Sequence, residues 1–256
     1  MINISRIKEM IVITACVAAT ALPSCGNGTE RHENPNPKVA EREEQNMKDI
    51  LSAQFSTDKA AAMALVYDAL APEYGREFAI GMMANIAAEG EPGQVWFPGL
   101  GTMAVIENGE DIESFISAGS AENICVGMLQ WSGDRADRLL GTYKQAQAEH
   151  GIPDDGEIPG SMLAECEIEM IASELKGSWQ GINITSDINA EEAAKLICRR
   201  YARPVNASAQ AESRANIAAR IERLLDDAGI DGRPYERIGI CRMEMRDARA
   251  DKERAS

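Results

Sequence analysis

The sequence predicts a mainly α-helical protein. Aromatic residues make up only 5% of the 256 residues, and alternating runs of β-branched residues are scarce. Apolar side chains instead recur at helical spacing, as at Phe78, Met82 and Ile86. The chain is long enough to bury one sizeable core. We therefore expect one helical domain with an appended arm.

The chain begins with a segment typical of exported proteins. Arg6 and Lys8 precede an apolar run, 10–22, that is too short to span a membrane comfortably. The run ends in Leu-Pro-Ser-Cys25, which resembles a bacterial lipoprotein signal whose cysteine becomes lipidated. An ordinary cleavable signal, with Cys25 incidental, is the alternative. We expect export to the cell envelope, with membrane attachment only through a lipid anchor at Cys25.

The rest of the chain divides by composition and periodicity. After the signal segment (1–25), residues 26–56 form a polar tether and a charged helix, 57–229 the helical domain, and 230–256 a charged tail. Ser56 and Asn189 are placed to cap the helices that follow them. The predicted helices run over 60–70, 78–89, 133–148, 161–175, 190–201 and 208–228. A short strand is predicted at 103–106, and 112–116 is either helix or strand.

Composition also restricts the partners and cofactors. The formal charge of −15 should repel nucleic acid and anionic membrane surfaces, so we expect no nucleic-acid partner. Only His32 and His150 are present and no Cys-x-x-Cys pair occurs, so we expect no metal and no other cofactor. In an oxidising compartment, the four cysteines after the signal could form one or two disulfides of unassigned pairing: Cys125, Cys166, Cys198 and Cys241.

The most informative stretch runs from Phe78 to Trp131. Its first helix ends on Glu89, because Gly90-Glu-Pro-Gly93 interrupts the pattern. A lone carboxylate at the C-terminal end of a buried helix faces the negative end of the helix dipole and loses water. Both effects favour the protonated form that a general acid needs. A solvent-exposed Glu89 at a frayed helix end is the alternative.

Three motifs resemble those of the phage tail lysozyme family. Gly81-Met-Met-Ala-Asn-Ile-Ala-Ala-Glu89 is followed by Gly127-Met-Leu-Gln-Trp131, and Tyr201-Ala-Arg-Pro204 comes later in the same order. The resemblance covers roughly residues 58–225. That family cleaves peptidoglycan and belongs to the lysozyme and lytic transglycosylase superfamily. It implies a lysozyme-like helical domain with a short irregular or β segment lining the groove.

The resemblance also implies roles for particular residues. Glu89 would be the single general acid and base acting on peptidoglycan glycan strands. Gln130 and Trp131 would contact the glycan, and Tyr201 would bind the substrate near the acid. The alternatives are that both aromatics are core residues and that Gln130 is a surface amide. The chain departs from the family at Gly90, where serine is usual. Four acidic residues are candidates for the second carboxylate of a hydrolase: Glu107, Glu110, Asp111 and Asp134.

Three other functions are compatible with parts of the sequence. The protein could be a non-catalytic envelope protein of the same fold that binds glycan or a protein partner. It could be a cysteine peptidase using Cys125 and His150. It could also be a structural protein of a mobile element, although the export segment argues against that.

Overall fold

The computed structural model describes residues 46–117, 124–177 and 188–230, and these are mainly helical, as predicted. Every described element belongs to one compact unit. In chain order the elements are α1 (46–52), α2 (Thr57–Tyr74), α3 (Arg76–Glu89), β1 (Gln94–Phe97), β2 (Thr102–Val105), α4 (Gly109–Ser117), β3 (Cys125–Val126), α5 (Asp134–Glu149), α6 (Gly160–Lys176), α7 (Ala190–Ile197) with a π-helical turn (Cys198–Ala202), and α8 (Ala207–Asp227).

Helix α3 is the centre of the core. All of its residues from 78 to 86 are buried, and α2, α7 and α8 pack around it. Gly81 allows α7 to cross closely, because a Cβ at this position would lie 2.7 Å from the Cβ of Ala193. Asn85 binds α7 as well, donating from Nδ2 to the carbonyl of Ala194 at 3.1 Å. Small residues and one buried amide therefore fix the helix that ends at Glu89.

A small antiparallel sheet follows α3, in the strand order β2-β1-β3. The register pairs Trp96 with Met103 across β1 and β2, and Val95 with Val126 across β1 and β3. This is the short β segment that the family resemblance implied. The sequence predicted β2 alone, since β1 and β3 are too short to show a clear alternation.

The helix ends follow local chemistry in most places. The side chains of Ser56 and Asn189 accept backbone N–H bonds at the starts of α2 and α7, which confirms both predicted caps. Helix α5 differs, because its N-cap is Gly133, which has no side chain to accept a hydrogen bond. Helix α2 passes through Pro72 to Tyr74, and a proline this close to the end of a helix disrupts little beyond it.

The core extends further towards the N-terminus than the predicted domain. Met47 and Leu51 of α1 are 3% and 0% exposed, so this charged helix packs on the domain through its apolar face. Arg220 of α8 also lies over the Phe55 ring at 5.3 Å. Among the described residues, no helix combines the length and apolar character needed to cross a membrane.

Candidate active site

Glu89 is the last residue of α3, and its side chain remains 18% exposed. The helix stops there because Gly90 adopts an extended conformation. The N–H of Gly90 donates to the carbonyl of Met128 at 3.2 Å, and the N–H of Gly127 donates to the carbonyl of Gln94 at 2.7 Å. The two halves of the sequence motif are therefore held together by backbone hydrogen bonds, with the Glu89 carboxylate beside them.

Glu89 is not the lone carboxylate that the sequence predicted. Arg214 of α8 forms an ion pair with it, from Nη2 to Oε1. The arginine is 1% exposed and also donates to the side-chain oxygens of Gln210 at 2.7 Å and Asn85 at 3.1 Å. The expectation of a lone carboxylate is therefore wrong, because the Glu89 carboxylate is paired with a buried guanidinium.

The turn 127–130 is shaped by its backbone. Gly127 and Gln130 both have positive φ, 81° and 51°, and Val126 and Trp131 pair across the turn. The half-buried Gln130 donates from Nε2 to the carbonyl of Gly127 at 2.8 Å. Its amide thus lies beside Gly90, the residue after Glu89. Its predicted contact with the glycan stays a prediction.

Trp131 and Tyr201 occupy the core instead of facing solvent. They are 2% and 0% exposed, and Arg135 lies over both rings, at 5.7 and 4.8 Å from the ring centroids. The Tyr201 hydroxyl donates to Glu174 at 2.7 Å. In this arrangement neither ring offers a face to a sugar, so the expectation of direct substrate contact is corrected in favour of the packing alternative.

Glu174 is the hub of this polar network. It accepts from Arg135 at 3.1 and 2.6 Å and also forms an ion pair with Arg138. Burial raises its pKa, but the hydrogen bonds and charge of Arg135 and the hydroxyl of Tyr201 outweigh this, and the pKa is lowered. The network joins α5, α6 and the π-helical turn behind the site.

A second buried carboxylate, Glu167, binds the backbone on both sides of the site. It is 0% exposed and accepts from the backbone N–H groups of Gly93 at 2.8 Å and Met128 at 2.5 Å, and from the hydroxyl of Tyr143. Burial raises the pKa of Glu167 to about 7, although these hydrogen bonds lower it in part. Sequence analysis missed this residue, which lies on the apolar face of α6.

The four candidates for a second carboxylate lie in three different environments, namely a helix start, the exposed surface and a cavity. Asp111, in the first turn of α4, accepts from the N–H groups of Glu107 and Asn108 at 2.9 and 3.2 Å, and its own N–H donates to the Asn108 side chain at 3.0 Å. Glu110 and Asp134 are exposed. Glu107 lines a cavity of about 780 Å³, together with Asp58, Glu91 and residues of α6, and Glu89 is not among its lining residues. Within the described ranges, no three potential ligand side chains converge as a metal site.

The geometry argues against a cysteine peptidase. Burial raises the pKa of the Cys125 thiol and the Glu89 charge raises it further, so the reactive thiolate is disfavoured. His150 is exposed at the far end of α5, whose 16 residues rise roughly 24 Å. Cys125, Cys166 and Cys198 are free thiols, and Cys241 lies outside the described residues.

Comparison with known proteins gives one result. No curated protein and no solved structure matches the chain. A family model described as phage tail lysozyme matches residues 59–225, more than half of the chain. The match contains the helix ending at Glu89, the turn 127–131 and Arg214. The chain therefore belongs to the phage tail lysozyme family, a family of lysozyme-like enzymes that act on peptidoglycan.

Proposed function

We propose that the protein cleaves the glycan strands of peptidoglycan with Glu89 as its single general acid and base. One observation carries the proposal. A partly exposed carboxylate lies where α3, the turn 127–130 and α8 meet, and it belongs to the family motif. Arg214 occupies Oε1, and no described residue donates to Oε2, which leaves that oxygen for the substrate.

The chemistry follows from one carboxyl group. Protonated Glu89 gives its proton to the glycosidic oxygen, the bond from that oxygen to C1 breaks, and its electrons stay on the departing oxygen. The carboxylate then accepts a proton from the group that attacks C1. In a hydrolase this group is water. In a lytic transglycosylase it is the 6-hydroxyl of the same sugar, which needs no second carboxylate.

The test is digestion of purified peptidoglycan with mass spectrometry of the products. Glu89→Gln should lose at least about 100-fold in rate, since general acid catalysis contributes that much or more. Glu91→Gln is the matched control, because Glu91 follows two residues later and lines the cavity whose lining residues do not include Glu89. Anhydro-ended products indicate a transglycosylase and reducing ends a hydrolase.

The second candidate is a non-catalytic envelope protein that binds glycan or a protein partner. The ion pair between Glu89 and Arg214 favours it, because Oε1 of the proposed acid is already bound by a group of the protein itself. Wild-type protein that sediments with peptidoglycan but releases no fragments, indistinguishably from Glu89→Gln, would establish this function instead.

We also propose that the protein is exported and tethered to an envelope membrane through lipid on Cys25, which lies outside the described residues. The apolar run and the Leu-Pro-Ser-Cys25 ending support this. Cells given an alkyne-tagged fatty acid should label the wild type but not Cys25→Ser. If the serine variant is exported unlabelled and the wild type is unlabelled too, the signal is an ordinary cleavable one.

A further inference from the structure

We infer that Arg214 is a positioning residue for Glu89, one that holds Oε1 of the carboxylate and leaves Oε2 to exchange the proton. The inference rests on the proposed function of Glu89. It concerns a residue of α8 that is distant in sequence from both motifs of the site.

The burial of Arg214 is the first argument. Its side chain is 1% exposed, although arginine is almost never fully buried unless it is paired. Taking a guanidinium out of water is costly, and only specific partners offset that cost. Here the partners are Glu89 through Nη2, Gln210 through Nη2 and Asn85 through Nη1. The protein therefore buries this charge against the proposed catalytic carboxylate.

Arg214 binds two side chains that lie on the same face of α3. Asn85 and Glu89 are four residues apart on α3 and share one face of the helix. Arg214 donates to both, reaching the carbonyl of Asn85 at 3.3 Å and its Oδ1 at 3.1 Å. Asn85 is itself bound to the carbonyls of Gly81 and Ala194. The guanidinium thus fixes the carboxylate relative to a rigid part of the core.

The ion pair between Arg214 and Glu89 can assist the proposed proton transfer. Glu89 becomes an anion when it releases its proton, and it does so in a mostly buried site. A fixed cation at Oε1 stabilises that charge as it forms, without any movement of the protein. It also keeps Oε2 directed at the substrate, and small misplacements of a reacting group are costly in rate.

The experiment compares Arg214→Met, Arg214→Lys and Arg76→Met by steady-state cleavage of soluble glycan strands. Arg214→Met should lower kcat about 100-fold and leave KM within about twofold. Arg214→Lys should recover part of kcat.

Arg76→Met is the matched structural control. Arg76 joins the same two helices at their other end, through Asp226 at 2.5 Å and Glu222 at 3.5 Å. It should lower the denaturation midpoint while kcat of the folded protein stays at the wild-type value. If both methionine variants lose kcat equally, or if Arg214→Met keeps full kcat, Arg214 is only structural.

The two proposals fail in different ways. Full activity in Glu89→Gln would overturn the proposed function itself. An inactive Glu89→Gln alongside a fully active Arg214→Met would overturn only the positioning role. If Arg214→Met does not fold, Arg214→Lys and its split between kcat and KM decide the matter.

Discussion

Gly90, the residue after Glu89, has φ and ψ of −149° and −165°, an extended conformation that any amino acid adopts. Its surroundings leave no space for a side chain. A Cβ at this position would lie 2.7 Å from Nε2 of Gln130, 2.8 Å from the carbonyl of Gly127 and 2.9 Å from Oε1 of Gln94. Where serine is usual in the family, this chain has Gly90, and the amide side chains of Gln94 and Gln130 fill the space beside it.

Gly90→Ser should accordingly be harmful in this chain. The Gln94 amide can turn away, but the Gln130 amide is bound to the Gly127 carbonyl at 2.8 Å, and the backbone N–H of Gln130 holds that carbonyl in the turn at 3.0 Å. The turn must move, and overpacking of this kind costs about 1–3 kcal/mol. We expect a lower denaturation midpoint and slower glycan cleavage.

Gly141→Ser is the control for that substitution. Gly141 is an exposed residue of α5, and a Cβ there meets nothing within 4 Å. Its midpoint should stay close to that of the wild type. If Gly90→Ser unfolds at the same denaturant concentration as Gly141→Ser, the space around Gly90 is larger than the structure shows.

At the scale of elements, the sequence predicted most helices because packing on one face imposes an apolar period on them. Helix α3 differs, since its residues from 78 to 86 are all buried, and it is marked instead by a continuous run of apolar and small residues that ends at Gly90 and Pro92. The strands were harder to predict, since β1 has four residues and β3 two. Their pairing depends on the register between segments that are distant in sequence, which local composition does not encode.

The sequence predicted only those residues of the candidate site that lie in the family motifs. Glu89 and the motif 127–131 were predicted, but Arg214 was missed because a single arginine in a long helix is ordinarily exposed. One signal was available. Arg214 lies on the stripe that α8 turns inward, together with Ala211, Ala218, Ile221 and Leu225. A charge in a buried stripe requires a partner, and the end of α3 supplies it.

The aromatic residues illustrate the opposite error. A motif places Trp131 and Tyr201 near the substrate, but it does not say which way their rings point. Arg135 and Glu174 complete a buried network around them, and those partners come from α5 and α6. The rings are therefore part of the wall behind the site, and the contact surface has to be sought among the half-buried residues such as Gln130.

At the scale of the whole molecule, two buried carboxylates connect the helices to the site. Glu174 joins α5, α6 and the π-helical turn, and Glu167 joins α6 to the backbone at Gly93 and Met128. Their pKa values move in opposite directions: that of Glu174 is lowered and that of Glu167 is raised to about 7. The free energy of unfolding should therefore depend on pH through both.

For Glu167 the pKa is higher in the folded protein than in the unfolded chain. Its contribution to stability is complete below the ordinary value of 4.5 and is lost as the pH rises through about 7, because the unfolded chain releases the proton first. The difference between these values corresponds to roughly 3 kcal/mol. For Glu174 the contribution is lost in the other direction, as the pH falls through its lowered pKa.

The measurement is urea unfolding of the wild type and Glu167→Gln across pH 4.5 to 8. The wild type should lose stability over this range by an amount on the order of 3 kcal/mol. Glu167→Gln should be less stable at the acidic end, where the protonated carboxyl is intact in the wild type, and should have a flatter profile. Glu165→Gln, in which an exposed carboxylate of the same helix is removed, should keep the wild-type slope. An equal slope in Glu167→Gln and the wild type would mean that Glu167 does not carry the pH dependence and that the carboxylate is ionised in the folded protein throughout this range.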